Sequence, residues 1–271
     1  THERWVRLMP EAYSESRELL SAIKAHRPEW LRERADRRYA IRLKKDWTTS
    51  PTGFWVRARC RPHEERKHLR TLGSDETLNT ARAQAQERRD AFRNDAWNES
   101  TPLDTVFASF HTKIAGWNGD SIDAWRVTAC ESTGDALQAA GHPYAEWMGG
   151  EIDIARIFTP DRASWRRFWF YDARRDQLPR FWLRWAFEFY QSFRKITDGT
   201  PADAQLATYL FEADYVVSAD KGFIAVTDKI RPYTSKAMAK TLLVKGGEEG
   251  VHTLLAFLKA LSVSRREASA S

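Results

Sequence analysis

Apolar positions in the stretch 11–38 recur at helical spacing, with Leu19, Leu20 and Ile23 and then Trp30 and Leu31 set among many charges. Pro28 lacks an amide donor and crowds the preceding turn, so this pattern predicts two helices rather than one. Residues 53–60, Gly-Phe-Trp-Val-Arg-Ala-Arg-Cys, read as a strand with Arg57 and Arg59 on one face, ended by Pro62. A second short strand is expected over 69–72, before Gly73. Residues 80–92 are rich in Ala, Gln, Glu and Arg and predict a helix. A linker is expected over 98–102 and a turn at 117–120. A further helix runs from Asp123 to about residue 140, where His142-Pro143 breaks it and Gly149-Gly150 punctuates the chain again. Residues 162–193 concentrate tryptophan, phenylalanine and tyrosine. Bases can stack on such rings, but Phe181, Trp182, Trp185, Phe189 and Phe193 follow helical spacing, so most are expected in a core.

The stretch 200–223 reads as a short helix running into a buried strand, with one carboxylate near each end. Thr200 suits an N-cap, Pro201 the first helical position, and Asp203 then falls in the first turn. Tyr215-Val216-Val217-Ser218 is a β-rich run without alternation, as in a parallel strand covered on both faces. Asp220 lies just past its carboxyl end, where open α/β sheets place their active groups. Two acids meeting there can hold Mg²⁺ or Mn²⁺, since hard cations take carboxylate oxygens. Local roles also fit: Asp203 could complete a capping box with Thr200, and Asp220-Lys221-Gly222 an ordinary turn. Beyond them, 241–245 reads as an edge strand, Gly246-Gly247 as a turn, and 251–261 as an amphipathic helix with a frayed polar tail from Ser262.

The residues Asp203-Ala204-Gln205-Leu206-Ala207, then Ser218-Ala219-Asp220 with Phe223, resemble the last third of the PIN nuclease family, named for the PilT N-terminus. The resemblance covers residues 195–258. It implies a PIN-like parallel sheet sandwiched by helices, in which Asp203 and Asp220 help bind divalent metal for phosphodiester hydrolysis, usually of RNA. Asp214 matches an acid often found before that strand, with a capping or supporting role. The family's second acid is a Glu on an early helix, five residues after a Pro, which points to Glu15 after Pro10; Asp123, Glu151 and Asp153 are the rivals. The family's first acid, on an opening strand, has no counterpart, so the chain is expected to begin after that strand or to carry an incomplete site. The resulting division is a PIN-like core over 1–34 and 160–262, a basic and mostly helical insertion over 35–159, and a tail over 263–271. Within the insertion, 53–92 faintly resembles the DNA-binding hairpin of phage-type integrases.

Composition describes a soluble, ordered chain: 42% hydrophobic and 30% charged residues over 271 positions. No apolar run approaches the span of a bilayer. Two cysteines, Cys60 and Cys130, suit a reducing, cytoplasmic setting. The first hundred residues hold 22 Lys and Arg against 16 Asp and Glu, whereas the remainder is neutral at 21 against 21. All of the net charge of +6 therefore lies in the first hundred residues, mostly as arginine, whose fork suits phosphate oxygens. A nucleic-acid partner is expected, RNA ahead of DNA, with Arg57, Arg59, Lys195 and Lys221 as backbone-binding candidates. A non-catalytic nucleic-acid-binding or assembly protein on a degenerate PIN-like scaffold is the alternative, and a homo-oligomer or an inhibitory protein partner is compatible with either.

Overall fold

The computed structural model describes residues 9–48, 59–64, 67, 74–104, 106, 122–159, 162–195, 200–234 and 236–270. Helix α1, Glu11–His26, turns Ala12, Glu15, Leu19, Leu20 and Ile23 inward along one stripe. It stops at Arg27, and Pro28 opens a 3₁₀ turn, Pro28–Trp30, before α2, Arg37–Thr48. The break predicted at Pro28 is present, because its ring cannot occupy a helix interior. Helix α3, Asp75–Asn94, contains the predicted 80–92. Helix α4 spans Ala124–Gln138. His142 and Pro143 then start α5, Pro143–Met148, with His142 Nδ1 accepting from the Tyr144 amide at 3.2 Å. Short α6, Ile154–Phe158, and α7, Ala163–Arg167, follow, and α7 runs directly into a π-helical turn, Phe168–Asp172.

The aromatic segment forms the core, as its spacing predicts. Trp165, Phe168, Trp169, Trp182, Phe187 and Phe189 are fully buried, together with Leu19, Leu20 and Ile23 of α1. Trp165 stacks on Phe168 with centroids 5.8 Å apart and meets Trp169 edge-on at 5.8 Å, two favoured aromatic geometries. Helix α8, Pro179–Ser192, is buried along nearly its whole length, with only Arg184 and Glu188 half-exposed, and packs against α1, α3 and α4.

The carboxyl-terminal part is a βαβ unit. Helix α9, Thr200–Ala207, and a 3₁₀ turn, Thr208–Phe211, lead into strand β1, Tyr215–Ser218. Helix α10, Lys221–Ile230, crosses over to strand β2, Lys240–Leu243, which pairs parallel with β1 in the register Tyr215↔Lys240 to Ser218↔Leu243. Helix α11, Glu248–Ala270, closes the fold. It continues through the residues expected to fray, since Arg, Glu and Ala propagate a helix well. Arg180 of α8 bridges Glu18 of α1 and Glu212, which precedes β1, so the βαβ unit is tied to the helical core by a half-buried ion network.

This architecture corrects the expected fold class. Among the described residues the only sheet has two strands, and the protein is mostly helical, so a PIN-like sheet sandwiched by helices is not what this sequence forms. The reason is visible in the burial. The large side chains are spent on helix-to-helix packing, while all four residues of β1 remain half-exposed instead of being covered on both faces. The hairpin expected from residue 53 onward falls largely outside the described residues. Its last two positions, Arg59 and Cys60, are helical, so Arg59 lies on no strand face. Arginine is a good helix former.

Candidate functional site

Strand β1 delivers Asp220 to the carboxyl end of the small sheet, where it becomes the N-cap of α10. Its Oδ1 accepts from the amides of Gly222 at 2.6 Å and Phe223 at 3.1 Å, which would otherwise be unsatisfied at the helix start. The Asp220 amide in turn donates to Ser218 Oγ at 3.0 Å, so the Ser-x-Asp sequence closes a tight local turn. Asp203 comes from the first turn of α9. Its Oδ2 accepts from Gln191 Nε2, near the end of α8, at 3.1 Å. Asp220, expected in an ordinary turn, is therefore a helix N-cap, and Asp203, expected in a capping box with Thr200, has a tertiary partner in Gln191.

The two carboxylates are close enough to repel. The Asp203 pKa is pushed up to about 6, first by burial and then by the charge of Asp220, while the Gln191 hydrogen bond pulls the other way. Like charges so placed disfavour joint ionisation, and a cation would relieve both the burial and the repulsion. The surroundings add positive groups. Arg194 donates from Nη1 to the Gly222 carbonyl at 2.9 Å, fastening the end of α8 to the start of α10. Lys195 follows it and is exposed, as is Lys221 in the first turn of α10.

The other candidates lie elsewhere. Glu15 is fully buried in α1, accepting from the Tyr144 hydroxyl and from Arg184 Nη2 at 2.9 Å. Burial pushes its pKa up to about 7 against the opposing pull of Arg184 and Tyr144. It is a core acid in an ion pair and not a third ligand beside Asp203 and Asp220. Asp214 sits before β1, at the opposite end of the strand from Asp220, where its carbonyl accepts from the Lys240 amide at 2.9 Å. Four extended residues separate those ends by ~13 Å. The rivals also have their own tasks. Asp123 precedes α4 and accepts from Trp125 Nε1 at 3.2 Å, Glu151 pairs with Arg17 and Lys24, and Asp153 caps α6. Arg57 lies outside the described residues, and Arg59 is exposed on a helical turn. Among the described residues no group of three or more acidic, His or Cys side chains is assembled.

Sequence reasoning missed Gln191 and Arg194. Both lie at the end of a helix whose composition signals core, and only their placement beside α9 and α10 gives them a role. Comparison with family models, curated proteins and solved structures finds no match for this chain. No helix among the described residues is long and apolar enough to cross a membrane.

Proposed function

We propose that the protein is a metal-dependent phosphodiesterase acting on RNA, with Asp203 and Asp220 as its acidic dyad. The reading is supported by one arrangement: Asp220 lies just past the carboxyl end of β1, and its charge adds to burial in raising the pKa of Asp203 from a separate element, α9. The donor set suits Mg²⁺ or Mn²⁺, which take one or two protein carboxylates and complete their shells with water and phosphate oxygens. Such an ion, when bound, supplies charge stabilisation at the phosphate and a water of lowered pKa. Asp203 and Asp220 would hold it, with Gln191 orienting Asp203 from behind. Arg194 fixes the start of α10, and exposed Lys195 and Lys221 supply phosphate contacts that position a strand without reading its sequence. The excess of arginine in the first hundred residues supports a polyanionic partner, and two free cysteines suit the cytoplasm.

The test is Mg²⁺-dependent cleavage of a single-stranded RNA by Asp203→Asn and Asp220→Ser. Serine keeps an N-cap acceptor and removes the charge, so it separates chemistry from helix capping. Both variants are expected to bind RNA and fail to cut it; undiminished cleavage by either removes the dyad from the mechanism. The alternative, a non-catalytic nucleic-acid-binding protein, is favoured by the engagement of Glu15 with Arg184, which withdraws the expected second acid. Salt-sensitive RNA binding with no turnover and no Mg²⁺ affinity would decide for it.

A further inference from the structure

A slot of about 140 Å³ opens between α4 and α8, walled by Trp125, Phe181 and Trp185, with Arg184, Glu188 and Ser132 among its polar lining. Apolar cavities of about 150 Å³ accept a benzene ring, so the slot is sized for one six-membered ring and not for a bicyclic one. Its two charged groups are held in place from behind. Glu15, fully buried, and Tyr144 lock the Arg184 side chain, whose Nη2 is engaged while other donors of the five-donor guanidinium remain. Arg88 donates to Glu188 Oε2 at 2.8 Å, and Oε1 has no hydrogen bond among the described residues. The slot thus offers aromatic walls, a fixed donor and a fixed acceptor within one turn of α8.

We infer that this slot binds a single pyrimidine base, cytosine in preference to uracil. The cytosine amino group can donate to Glu188, as carboxylates commonly accept from that amine, while its ring nitrogen and carbonyl face Arg184. Uracil presents a carbonyl oxygen where cytosine presents the amine, and that oxygen would meet the Glu188 carboxylate and be rejected. Arg184, Glu188 and Gln191 share one face of α8 at helical spacing, and Gln191 contacts Asp203. The base would therefore sit ~10 Å along the helix from the acidic dyad. The inference rests on the nucleic-acid reading for the source of the base, but it requires neither metal nor cleavage.

Saturation-transfer NMR with cytidine 5′-monophosphate, uridine 5′-monophosphate and ribose 5-phosphate, in EDTA, tests it on the full chain. Transfer to the cytosine ring protons is expected, with affinity about tenfold above that for the uridine nucleotide, matching one good base-edge contact. Ribose 5-phosphate should show none. Ser132→Phe, at an exposed position of α4, should fill the slot and abolish the signal with an unchanged melting temperature. Glu188→Gln should bring the two nucleotides to equal affinity. Equal binding of cytidine and uridine nucleotides by the parent protein, binding of ribose 5-phosphate as tight as either, or cytidine binding that survives Ser132→Phe would each overturn the assignment. If RNA cleavage fails in the dyad test while this signal persists, the base slot stands and the nuclease reading falls.

Discussion

Asp203 is the residue whose environment is most consequential for pH. In the fold its pKa stands at about 6 against its ordinary 3.8, so the native state favours the protonated form. Above pH 6 the ionised side chain is held at a cost, and native stability recovers as pH falls from about 6 towards 4. Without divalent cation, Asp203→Asn is therefore expected to raise the melting temperature at pH 8, by less at pH 5, and to lose that advantage only below about pH 4. Mg²⁺ affinity, measured by calorimetry, should weaken as pH drops through about 6, because protons compete for the same oxygens. The Glu15 pKa is shifted in the same direction, to about 7, but Glu15 has a cationic partner. Glu15→Ala removes the partner of the half-buried Arg184 guanidinium, which typically costs about 1–3 kcal/mol, so chemical denaturation should register a loss of stability while Mg²⁺ binding is retained. The positions of Asp203 in the first turn of a helix and of Asp220 past a strand end were legible in the sequence because each is set by local rules. The task of Glu15 was not, because Tyr144 and Arg184 lie 129 and 169 positions away and nothing local announces them.

Among the elements, α10 depends most directly on a single side chain. Asp220→Ala should destabilise the protein by ~1 kcal/mol through loss of the N-cap, whereas Asp220→Ser should recover most of it; equal melting temperatures for the two would show that the cap contributes nothing. Helices were read well where apolar spacing was long and regular, as in α1, α4 and α8, and where proline marked a break, as at Pro28. Strands β1 and β2 were also read from their residues, whereas helix α10 between them was not. What misled was the inference from one strand to a full sheet. A run such as Tyr-Val-Val-Ser announces extended chain but not how many neighbours it has. The π turn at Phe168–Asp172 had no signal either, since its rings are placed by Trp30, Trp165 and Phe181 from three other segments.

For the whole molecule, one contiguous apolar cluster runs from Ala12 in α1 to Ala239 beside β2. Leu19→Ala, at a fully buried site, should cost about 3–5 kcal/mol, and near-ultraviolet and far-ultraviolet dichroism should lose signal in one coincident transition. Separate transitions for the helical part and the βαβ unit would contradict a shared core. Charge acts on the same scale. With the excess of positive groups confined to the first hundred residues, affinity for single-stranded RNA should fall steeply and log-linearly with salt, and an Arg59→Glu change should flatten that slope, as a filter-binding titration would reveal.

Helix α8 spans Pro179–Ser192, with proline in its first turn and Arg194 just past its end tied to α10. A helix so held acts as a measuring stick. Each residue advances it ~1.5 Å and rotates it ~100°, so Arg184 at the slot and Gln191 at Asp203 are marks on one face, ~10 Å apart along the axis. Whatever occupies the slot is thereby held at a spacing from Asp203 that the helix alone sets.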